Sequence, residues 1–514
     1  MDDLSLNGLR FAAKRMQRAH RAGEAWAVER LKQYGPGKPA EALVRADFLH
    51  AVAREAGFES WPRLKLAAEA MGLDRAAALQ GLKQALFRGQ TARVEALLAR
   101  FPDLADGVFG LECALYRRGA VEAALAREPG LAVAKLGPRT PILHLAFSRW
   151  IHARPGLEAD MLAVAELLLA HGADVNDGYV EAPGSGHALS ALYGAIGHAD
   201  NIVLAQWLLD KGADPDDGES LYHSTELGHH RALRMLLEAG AEPKGTNALF
   251  RAMDFHDHAA VEMLLAHGAR ADEFSPDEVG GEAPSVIPAL HQAARRMSDA
   301  RMVGLLLEAG AGTARRWMGV TAYAMARVYG NRALARALEA RGADTGLSRE
   351  EGLLAAAAEG RESPGQFIDP ERLPGAFWGL LRDLVHLPDR LEHMRRLVAL
   401  GVPYDEPGGP ERITPTHVAG WEGKPEVLAW FLSLRPDLGF VNGFGGTLLS
   451  TILHGAEKNP ARAERDHIGC ARLALEQGVA LPRAVIEGCG HEDMAAFLRA
   501  WAEARPGQVA DGPA

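Results

Sequence analysis

The stretch LLLAHGAD, from Leu167 to Asp174, returns along the chain as LLDKGAD, LLEAGAE, LLAHGAR, LLEAGAG and LEARGAD. The glycines of these phrases follow one another at spacings of 40, 28, 28, 42 and 32 residues. They are Gly172, Gly212, Gly240, Gly268, Gly310 and Gly342. Because the spacings scatter around about 33 residues, the phrases predict one structural unit that is repeated along the chain.

A second element precedes the glycine phrase in the repeating unit. It occurs as TPILHLA from Thr140, SLYHSTE from Ser220, PALHQAA from Pro288, VTAYAMA from Val320 and TPTHVAG from Thr414. Two motifs in register at this repeat length resemble the ankyrin repeat, in which a TPLH-type helix is followed by a leucine-rich helix and a GAD turn. The resemblance implies an all-α fold: an α-solenoid of ankyrin repeats, with helix–turn–helix pairs, finger loops and an N-terminal helical cap.

Each residue type in the unit has a physical role. Threonine caps the first helix by accepting a backbone N–H bond, and proline suits the first helical turn, where its missing donor costs nothing. Glycine ends the second helix, where a left-handed backbone is needed, and the paired leucines form the stripe buried between units. The resemblance further implies that the fourth-position histidines bond back to the turn and to the neighbouring unit. These are His144, His223, His291 and His417.

Composition limits the class of partner. Apolar residues make up 48% of the chain and aromatic residues only 6%, which predicts a core of alanine and leucine between thin helices. The 56 basic residues against 67 acidic ones give a formal charge of −11, so the molecule repels a phosphate backbone. We therefore expect a protein partner with a basic patch, and no nucleic acid.

Cysteine usage and hydropathy indicate the compartment. Cys113, Cys470 and Cys489 lie far apart without CxxC spacing, which argues against a disulfide framework or a zinc knuckle. No cationic stretch followed by an apolar run marks a secretory signal, and no apolar run reaches the length of about 18 residues that a membrane helix needs. The prediction is a cytoplasmic monomer with no membrane association, and the bias toward Ala, Gly and Arg is typical of bacterial proteins.

The chain divides into three predicted segments. Residues 1–72 form a helical leader, residues 73–505 an array of roughly ten to twelve units of which several are degenerate, and residues 506–514 a disordered tail. The GFESWPRLK segment of the leader resembles a short helical segment that precedes ankyrin arrays in some bacterial proteins. The leader is interpreted as a cap over the first unit. The alternative is a separate docking module with Phe58 and Trp61 as its contact pair.

Catalytic motifs do not stand out. The sequence has no GxxxxGK[ST], HExxH or GxSxG pattern, so no catalytic residue, cofactor or metal ion is predicted. One alternative is an enzyme with a site in the irregular segment 348–387, which carries Asp369, Glu371, Asp383 and His386. A second alternative is a metal- or pH-responsive scaffold that uses histidines in successive turns, where imidazoles could lie along one edge. These are His198, His229, His230, His256 and His258.

The finger loops carry the predicted binding residues. Two fingers, from Asp177 and from Ala271, are longer than a standard hairpin, and the second is acidic around its aromatic residue. Because exposed aromatic side chains anchor protein interfaces, the expected function is non-catalytic protein binding through the concave finger and inner-helix surface. The candidate contact residues are Tyr179, Glu181, Phe274, Trp317, Met318, Tyr404 and Phe444. Trp421, in the turn between two helices, is predicted to be a packing residue.

Overall fold

The structure is a computed structural model that describes residues 5–180, 188–273, 287–409, 411–459, 461–489 and 491–510. Helices dominate the described residues, and the strands among them are two residues long. The described residues fall into two compact units, one up to Arg251 and one from Ala252 onward. The predicted all-α class is confirmed, whereas the division near Arg251 was not anticipated from the sequence.

The N-terminal segment is a helical module with its own apolar core. Its helices are α1 (Leu6–Arg21), α2 (Ala25–Tyr34), α3 (Arg45–Glu55) and α4 (Trp61–Met71). Met16, Phe48, Trp61 and Leu64 are buried together at its centre. Helix α4 begins with Trp61 followed by proline, as expected for a first turn, and it packs against the helix that spans Thr91–Arg100. The module therefore covers the first helix pair of the array, which is the position that a cap takes.

Helix pairs follow one another through the rest of the first unit. They are α5 (Arg75–Arg88), α6 (Thr91–Arg100), α7 (Phe109–Ala114), α8 (Arg118–Arg127), α9 (Pro141–Ala146), α10 (Trp150–Ala153), α11 (Glu158–Ala170), α12 (Ala191–Tyr193), α13 (Ile202–Asp210), α14 (Ser220–Ser224), α15 (Arg231–Glu238) and α16 (Ala248–Asp254). A π-helical turn, Gly194–His198, extends α12. First helices pack in the order α7, α9, α12, α14, and second helices in the order α8, α11, α13, α15. This order is that of a solenoid, because each pair buries its apolar face on the next.

The second unit repeats the arrangement with one interruption. Its helices are α17 (His258–Ala266), α18 (Ala289–Arg295), α19 (Ala300–Glu308), α20 (Ala322–Tyr329), α21 (Arg332–Ala340), α22 (Arg349–Ala358), α23 (Leu380–His386), α24 (Leu391–Ala399), α25 (Pro415–Trp421), α26 (Pro425–Ser433), α27 (Leu448–Lys458), α28 (His467–Glu476), α29 (Arg483–Gly488) and α30 (Glu492–Ala504). First helices α18, α20 and α22 pack in order, as do α23, α25 and α27. Short 3₁₀ turns at Pro370–Arg372 and Gly375–Phe377 occupy the irregular segment between the two runs.

The repeat motifs perform the predicted structural roles. The glycines of the GAD phrases have φ between 67° and 101°, the left-handed region that a side chain would strain. The leucine stripe is buried throughout, as Leu168, Leu208, Leu236, Leu264, Leu306 and Leu338 show. Thr321 and Thr414 accept the capping bonds from Ala324 N and His417 N. Thr140 makes no such bond, because its hydroxyl donates to Asp177 Oδ2, so the predicted threonine cap holds for α20 and α25 but not for α9.

Two of the fourth-position histidines bond as the resemblance implies. His144 Nε2 lies 3.0 Å from Leu136 O in its own turn, and His291 Nε2 lies 3.0 Å from Val320 O in the next unit. His417 bonds instead to the capping hydroxyl of Thr414, at 2.8 Å from its Nδ1.

His223 differs from the other three because it lies between two carboxylates. Its ring nitrogens are 3.1 Å from Glu219 and 2.7 Å from Glu226. Burial lowers the pKa of His223, but hydrogen bonds to and charges of these carboxylates outweigh burial and raise it to about 9. This histidine is therefore the cation of an internal ion pair, which the repeat motif alone did not indicate.

Short strands form the finger hairpins and tie down the C-terminal end. Strands β1 (Gly178–Tyr179) and β2 (Leu189–Ser190) pair antiparallel, as do β3 (Arg316–Trp317) and β4 (Val320–Thr321). Strand β5 (Leu481–Pro482) pairs parallel with β6 (Val509–Ala510). Residues 506–510, predicted as part of a disordered tail, thus hold a 3₁₀ turn and a strand, because a strand edge near α29 gives them backbone partners.

Hydropathy along the helices bears on the membrane question. None of the described helices combines the length and the apolar character that crossing a membrane requires.

Candidate partner-binding surface

The predicted finger residues differ widely in exposure. Phe444 is 76% exposed and Met318 is 61% exposed. Trp317 and Tyr404 are partly buried, and the Tyr404 hydroxyl donates at 2.6 Å to Leu434 O, which lies at the C-terminal end of α26. Glu181 and Phe274 lie outside the described residues. Two of the candidates therefore present free apolar surface.

Tyr179 does not have the exposed position that was predicted for it. Only 6% of it is accessible, because its ring lies edge-on to Phe147 at 5.4 Å between centroids. The guanidinium carbon of Arg139 lies 4.3 Å from the centre of the same ring. Tyr179 is thus a packing residue of its finger and leaves the candidate surface.

Arg139 is held within a cluster of aromatic rings. Its guanidinium carbon lies 4.4 Å from the centre of Phe87 and 4.6 Å from that of Phe147, besides its contact with Tyr179. Stacking of a guanidinium on ring faces is favourable because the ring quadrupole attracts the cation. The chain therefore fills this aromatic site with its own side chain. We call Arg139, Phe87, Phe147, Tyr179 and His198 the Arg139 cluster.

His198 completes the cluster. Its ring stacks on Phe87 at 4.1 Å between centroids, and its Nε2 donates to Phe87 O at 2.7 Å. Burial and the nearby charges of Arg149 and Arg139 lower the pKa of His198 to about 4, against the opposing effect of the bond to Phe87 O. The ring is therefore neutral near pH 7 and serves packing rather than charge.

A cavity opens beside the exposed Phe444. It has a volume of about 640 Å³ and lies where the first helices of the second unit meet two finger turns. It is lined by His386, Ile413, Val418, Trp421, Asn442, Phe444, Gly446, Ser450, Thr451 and His454. Four aromatic rings, two of them imidazoles, and two aliphatic side chains thus surround one space, which we call the Trp421 cavity.

The finger turn at residues 442–446 positions Phe444 at the mouth of this cavity. The Asn442 Oδ1 accepts bonds from Phe444 N at 3.0 Å and from Gly446 N at 2.8 Å. Asn442 Nδ2 donates to Thr451 Oγ1 at 3.3 Å, and Gly445 has a φ of 77°. Since the buried asparagine holds the backbone of this turn, the phenyl ring of Phe444 is presented to solvent.

Trp421 forms one wall of the cavity, although the sequence predicts a packing role for it. It is the last residue of α25 and is partly exposed. Its ring lies 5.1 Å from that of His454, and its carbonyl accepts from Asn459 Nδ2 and His467 Nε2, each at 3.0 Å. The backbone is therefore locked while the indole stays accessible. Neither Trp421 nor His454 carries a sequence pattern that distinguishes it from a packing residue.

An ion-pair chain borders the cavity. His386 Nδ1 lies 2.9 Å from Glu422 Oε1, and Arg465 lies 3.6 Å from the other carboxylate oxygen. Burial raises the pKa of Glu422, but the bond to His386 and the surrounding cations outweigh it and lower the pKa. Glu422 therefore carries a negative charge that is held among these cations.

The residues of the proposed enzyme segment have separate structural partners. Asp383 accepts bonds from Arg295 Nε at 3.0 Å and from the Tyr329 hydroxyl at 2.6 Å. Asp369 caps a turn by accepting from Glu371 N at 3.1 Å. His386 pairs with Glu422, so the residues predicted to share a site act in different contacts.

The edge histidines likewise have individual partners. His229 Nε2 lies 2.9 Å from Asp200 Oδ1, and His258 Nε2 lies 2.9 Å from Asp299 Oδ1. Within the described ranges, no three histidine, cysteine or acidic side chains are arranged so that they could hold a metal ion. His229 and His258 thus each have one carboxylate partner, whereas His198 belongs to the Arg139 cluster.

Comparisons with known proteins give matches among solved structures. No protein-family model matches the chain, and a search of curated protein sequences finds no match. Among solved structures, the ankyrin repeat domain of Bcl-3 is 21% identical, with a TM-score of 0.34, and the match covers 45% of this chain and 97% of that one. The human ASB11 ankyrin repeat domain is 19% identical, with a TM-score of 0.21, and the match covers 50% of this chain and 96% of that one.

Proposed function

We propose that this chain is a non-catalytic scaffold of ankyrin type that binds a protein partner through the fingers and first helices of its second unit. The observation that carries the proposal is the exposure of Phe444, 76%, at the mouth of an apolar cavity. A partner that buries an exposed large apolar side chain removes that surface from water, which stabilises the complex. Aromatic anchors of this kind dominate the binding energy of protein interfaces.

The repeat architecture supports the same proposal. Stacked helix pairs present a preorganised surface, so little conformational entropy opposes docking. Met318 adds a second exposed apolar residue, at the turn between β3 and β4, where it and Gly319 both have positive φ. The formal charge of −11 favours a partner with a basic patch. The three free cysteines, of which Cys113 and Cys470 are buried, suit a reducing cytoplasmic compartment.

A capture experiment tests the proposal. The full chain is used as bait in native lysate beside the double variant Met318→Ala, Phe444→Ala and the matched control Met71→Ala, Phe367→Ala, which removes one exposed methionine and one exposed phenylalanine elsewhere. We expect the control to retain a partner that the Met318, Phe444 variant loses by at least about ten-fold. Equal capture by both variants, or loss in the control alone, would contradict the proposed surface.

A further inference from the structure

We propose that the Trp421 cavity receives one aromatic side chain of the partner polypeptide. This inference rests on the proposed function and deepens it, because it assigns the chemistry of the contact rather than its position alone. The anchor is a phenyl, phenol or indole ring that enters between Trp421, Phe444 and His454.

The walls of the cavity select for an apolar ring. The ring centres of Trp421 and His454 lie 5.1 Å apart with their planes tilted by 37°, so a further ring in the cavity has aromatic and aliphatic surface beside it as well as the polar side chains of Asn442, Ser450 and Thr451. Ile413 and Val418 add aliphatic surface. Ring pairs gain energy beyond the burial of area when they meet edge to face or in offset stacks. An aromatic ligand therefore gains ring–ring interaction energy from these walls, which an aliphatic ligand cannot gain.

The charges beside the cavity argue against a charged ligand. Among the described residues, those that line the cavity include no Lys, Arg, Asp or Glu, and Glu422 at its border is already held by His386 at 2.9 Å. Asn442 is likewise engaged on both its oxygen and its nitrogen. A lysine or glutamate side chain would lose its hydration here without gaining a counter-ion, which is unfavourable. A neutral ring meets no such penalty.

A polar atom of the lining remains for recognition. With Nδ1 bonded to Glu422, the Nε2 of His386 makes no hydrogen bond to any side chain or backbone group within the described ranges. A phenol hydroxyl or an indole N–H can pair with this nitrogen while the ring stays among apolar walls. The preferred anchors are therefore tyrosine and tryptophan.

Size and shape favour a side chain of a polypeptide over a free small molecule. The volume of about 640 Å³ lies within the range of about 300 to 1,000 Å³ that ligand pockets have. Small-molecule sites, however, bury most of the ligand, whereas here the largest ring at the mouth is 76% exposed. A polypeptide that inserts one ring and continues across the surface covers Phe444 as well, and so accounts for both features.

The chemistry is tested with amino-acid amides and saturation-transfer NMR on the full chain. The probes are N-acetyl-tryptophan amide, N-acetyl-tyrosine amide and, as a charged comparison, N-acetyl-lysine amide. Ligands of this size bind with millimolar Kd at best, which the method detects. We expect transfer to the ring protons of the first two probes and at least about five-fold less to the third.

Two variants test whether the probes bind in the cavity. Ser450→Phe fills the space, and Phe444→Ala removes a wall at an exposed position where folding is not at risk. Each should lower the transfer by at least about five-fold, while Phe367→Ala, an exposed ring elsewhere, leaves it unchanged. No transfer in the natural protein, or equal transfer in Ser450→Phe and the natural protein, would overturn the proposal.

The polypeptide source is tested with a displayed library of random twelve-residue peptides. We expect selected peptides to share an aromatic residue at one fixed position, and replacing that residue with alanine to weaken binding by at least about ten-fold. Selected peptides that share no aromatic residue, or that bind Ser450→Phe equally well, would reject the inference. Binding of the free amides without any selected peptide would identify a small-molecule pocket and overturn the polypeptide assignment.

The failures of the two proposals are distinguishable. If a partner is captured through Met318 and Phe444 and Ser450→Phe captures it equally well, the protein is a binder but the cavity is not its anchor site. If the amides bind and no partner depends on Met318 and Phe444, the cavity holds aromatic rings but the proposed function fails.

Discussion

Two finger regions of this molecule contain aromatic rings, and they differ in what occupies the space between the rings. In the Arg139 cluster, a guanidinium lies within 4.6 Å of three ring centres and Tyr179 is 6% exposed. In the Trp421 cavity, the rings of Trp421, Phe444 and His454 surround about 640 Å³ of accessible space. In the first region a side chain of the chain itself covers the rings, whereas the second region has apolar surface that a ligand can cover.

The comparison shows that the presence of an aromatic residue in a finger does not determine its role. Tyr179 and Phe444 were equivalent candidates by sequence position, since each lies in a finger turn. Their exposures differ because Arg139 reaches the face of one ring and no described cation covers the other. Four measurements test this difference between the two regions.

The largest effect is expected for Phe147→Ala in the filled cluster. Phe147 is buried against Phe87, Tyr193 and Tyr179, and its removal leaves a cavity that rigid helices cannot close. We expect a loss of about 3–5 kcal/mol in the free energy of unfolding, measured by urea denaturation followed by circular dichroism. Phe367→Ala, at an exposed ring, is the control. A loss below about 1 kcal/mol would mean that the cluster is not a packed core.

Acid should weaken the filled cluster through His198. Its folded pKa of about 4 lies below the ordinary histidine value of about 6.5, so below pH 6.5 the unfolded chain binds a proton that the folded chain does not. The stability contributed by the neutral ring is therefore complete above pH 6.5 and is lost as the pH falls toward 4. Over that interval the loss is roughly 3 kcal/mol.

The measurement for His198 is the free energy of unfolding at pH 7 and pH 4 for the natural protein and for His198→Gln. Using the variant as reference cancels the other groups that titrate over this range. The natural protein should lose more stability than the variant. Identical losses would show that protonation of His198 is not linked to folding.

A smaller effect is expected for Arg139→Met, which keeps the aliphatic stem and removes the cation. Loss of its stacking on three rings should cost about 1–2 kcal/mol in the free energy of unfolding. Arg412→Met is the matched control, since Arg412 lies over one ring, Phe440, at 5.7 Å. If both substitutions have the same effect, the aromatic enclosure of Arg139 adds nothing to a surface contact.

The smallest effect on stability is expected for Phe444→Ala. Because the ring is mostly exposed and its turn is held by Asn442, the free energy of unfolding should change by less than about 0.5 kcal/mol. Partner binding should fall sharply in the same variant. A loss above about 1 kcal/mol would indicate that Phe444 packs within the fold, and the contrast with Tyr179 would disappear.

Sequence reasoning succeeded where the signal is local. The helix pairs, the threonine caps at Thr321 and Thr414 and the left-handed glycines were predictable because each depends on residues within one turn of helix. The exposure of Phe444 was predictable for the same reason, since its turn is closed by Asn442 two residues before it.

The prediction failed where distant residues meet. Tyr179 is buried by Phe147 and Arg139, and His198 packs on Phe87 from 111 positions away. Trp421 and His454 line a cavity because α25 and α27 pack side by side. The sequence around neither residue predicts this helix pairing. The same difficulty applies to His223, whose two carboxylate partners could not be distinguished from solvent-exposed acids.

The amino-acid order therefore settles the repeating helix pair, its caps, its terminal glycines and its leucine stripe, because these follow from backbone preferences and apolar periodicity over a few residues. The occupancy of each finger depends on the stacking of successive units, which decides whether an arginine, a ring or open space lies beside a given aromatic residue. Stacking brings together side chains that are far apart in the sequence, such as Trp421 with His454 and Phe87 with His198, which is 111 positions away. Short-range patterns do not encode such contacts, and so the aromatic cavity was found only in the tertiary structure.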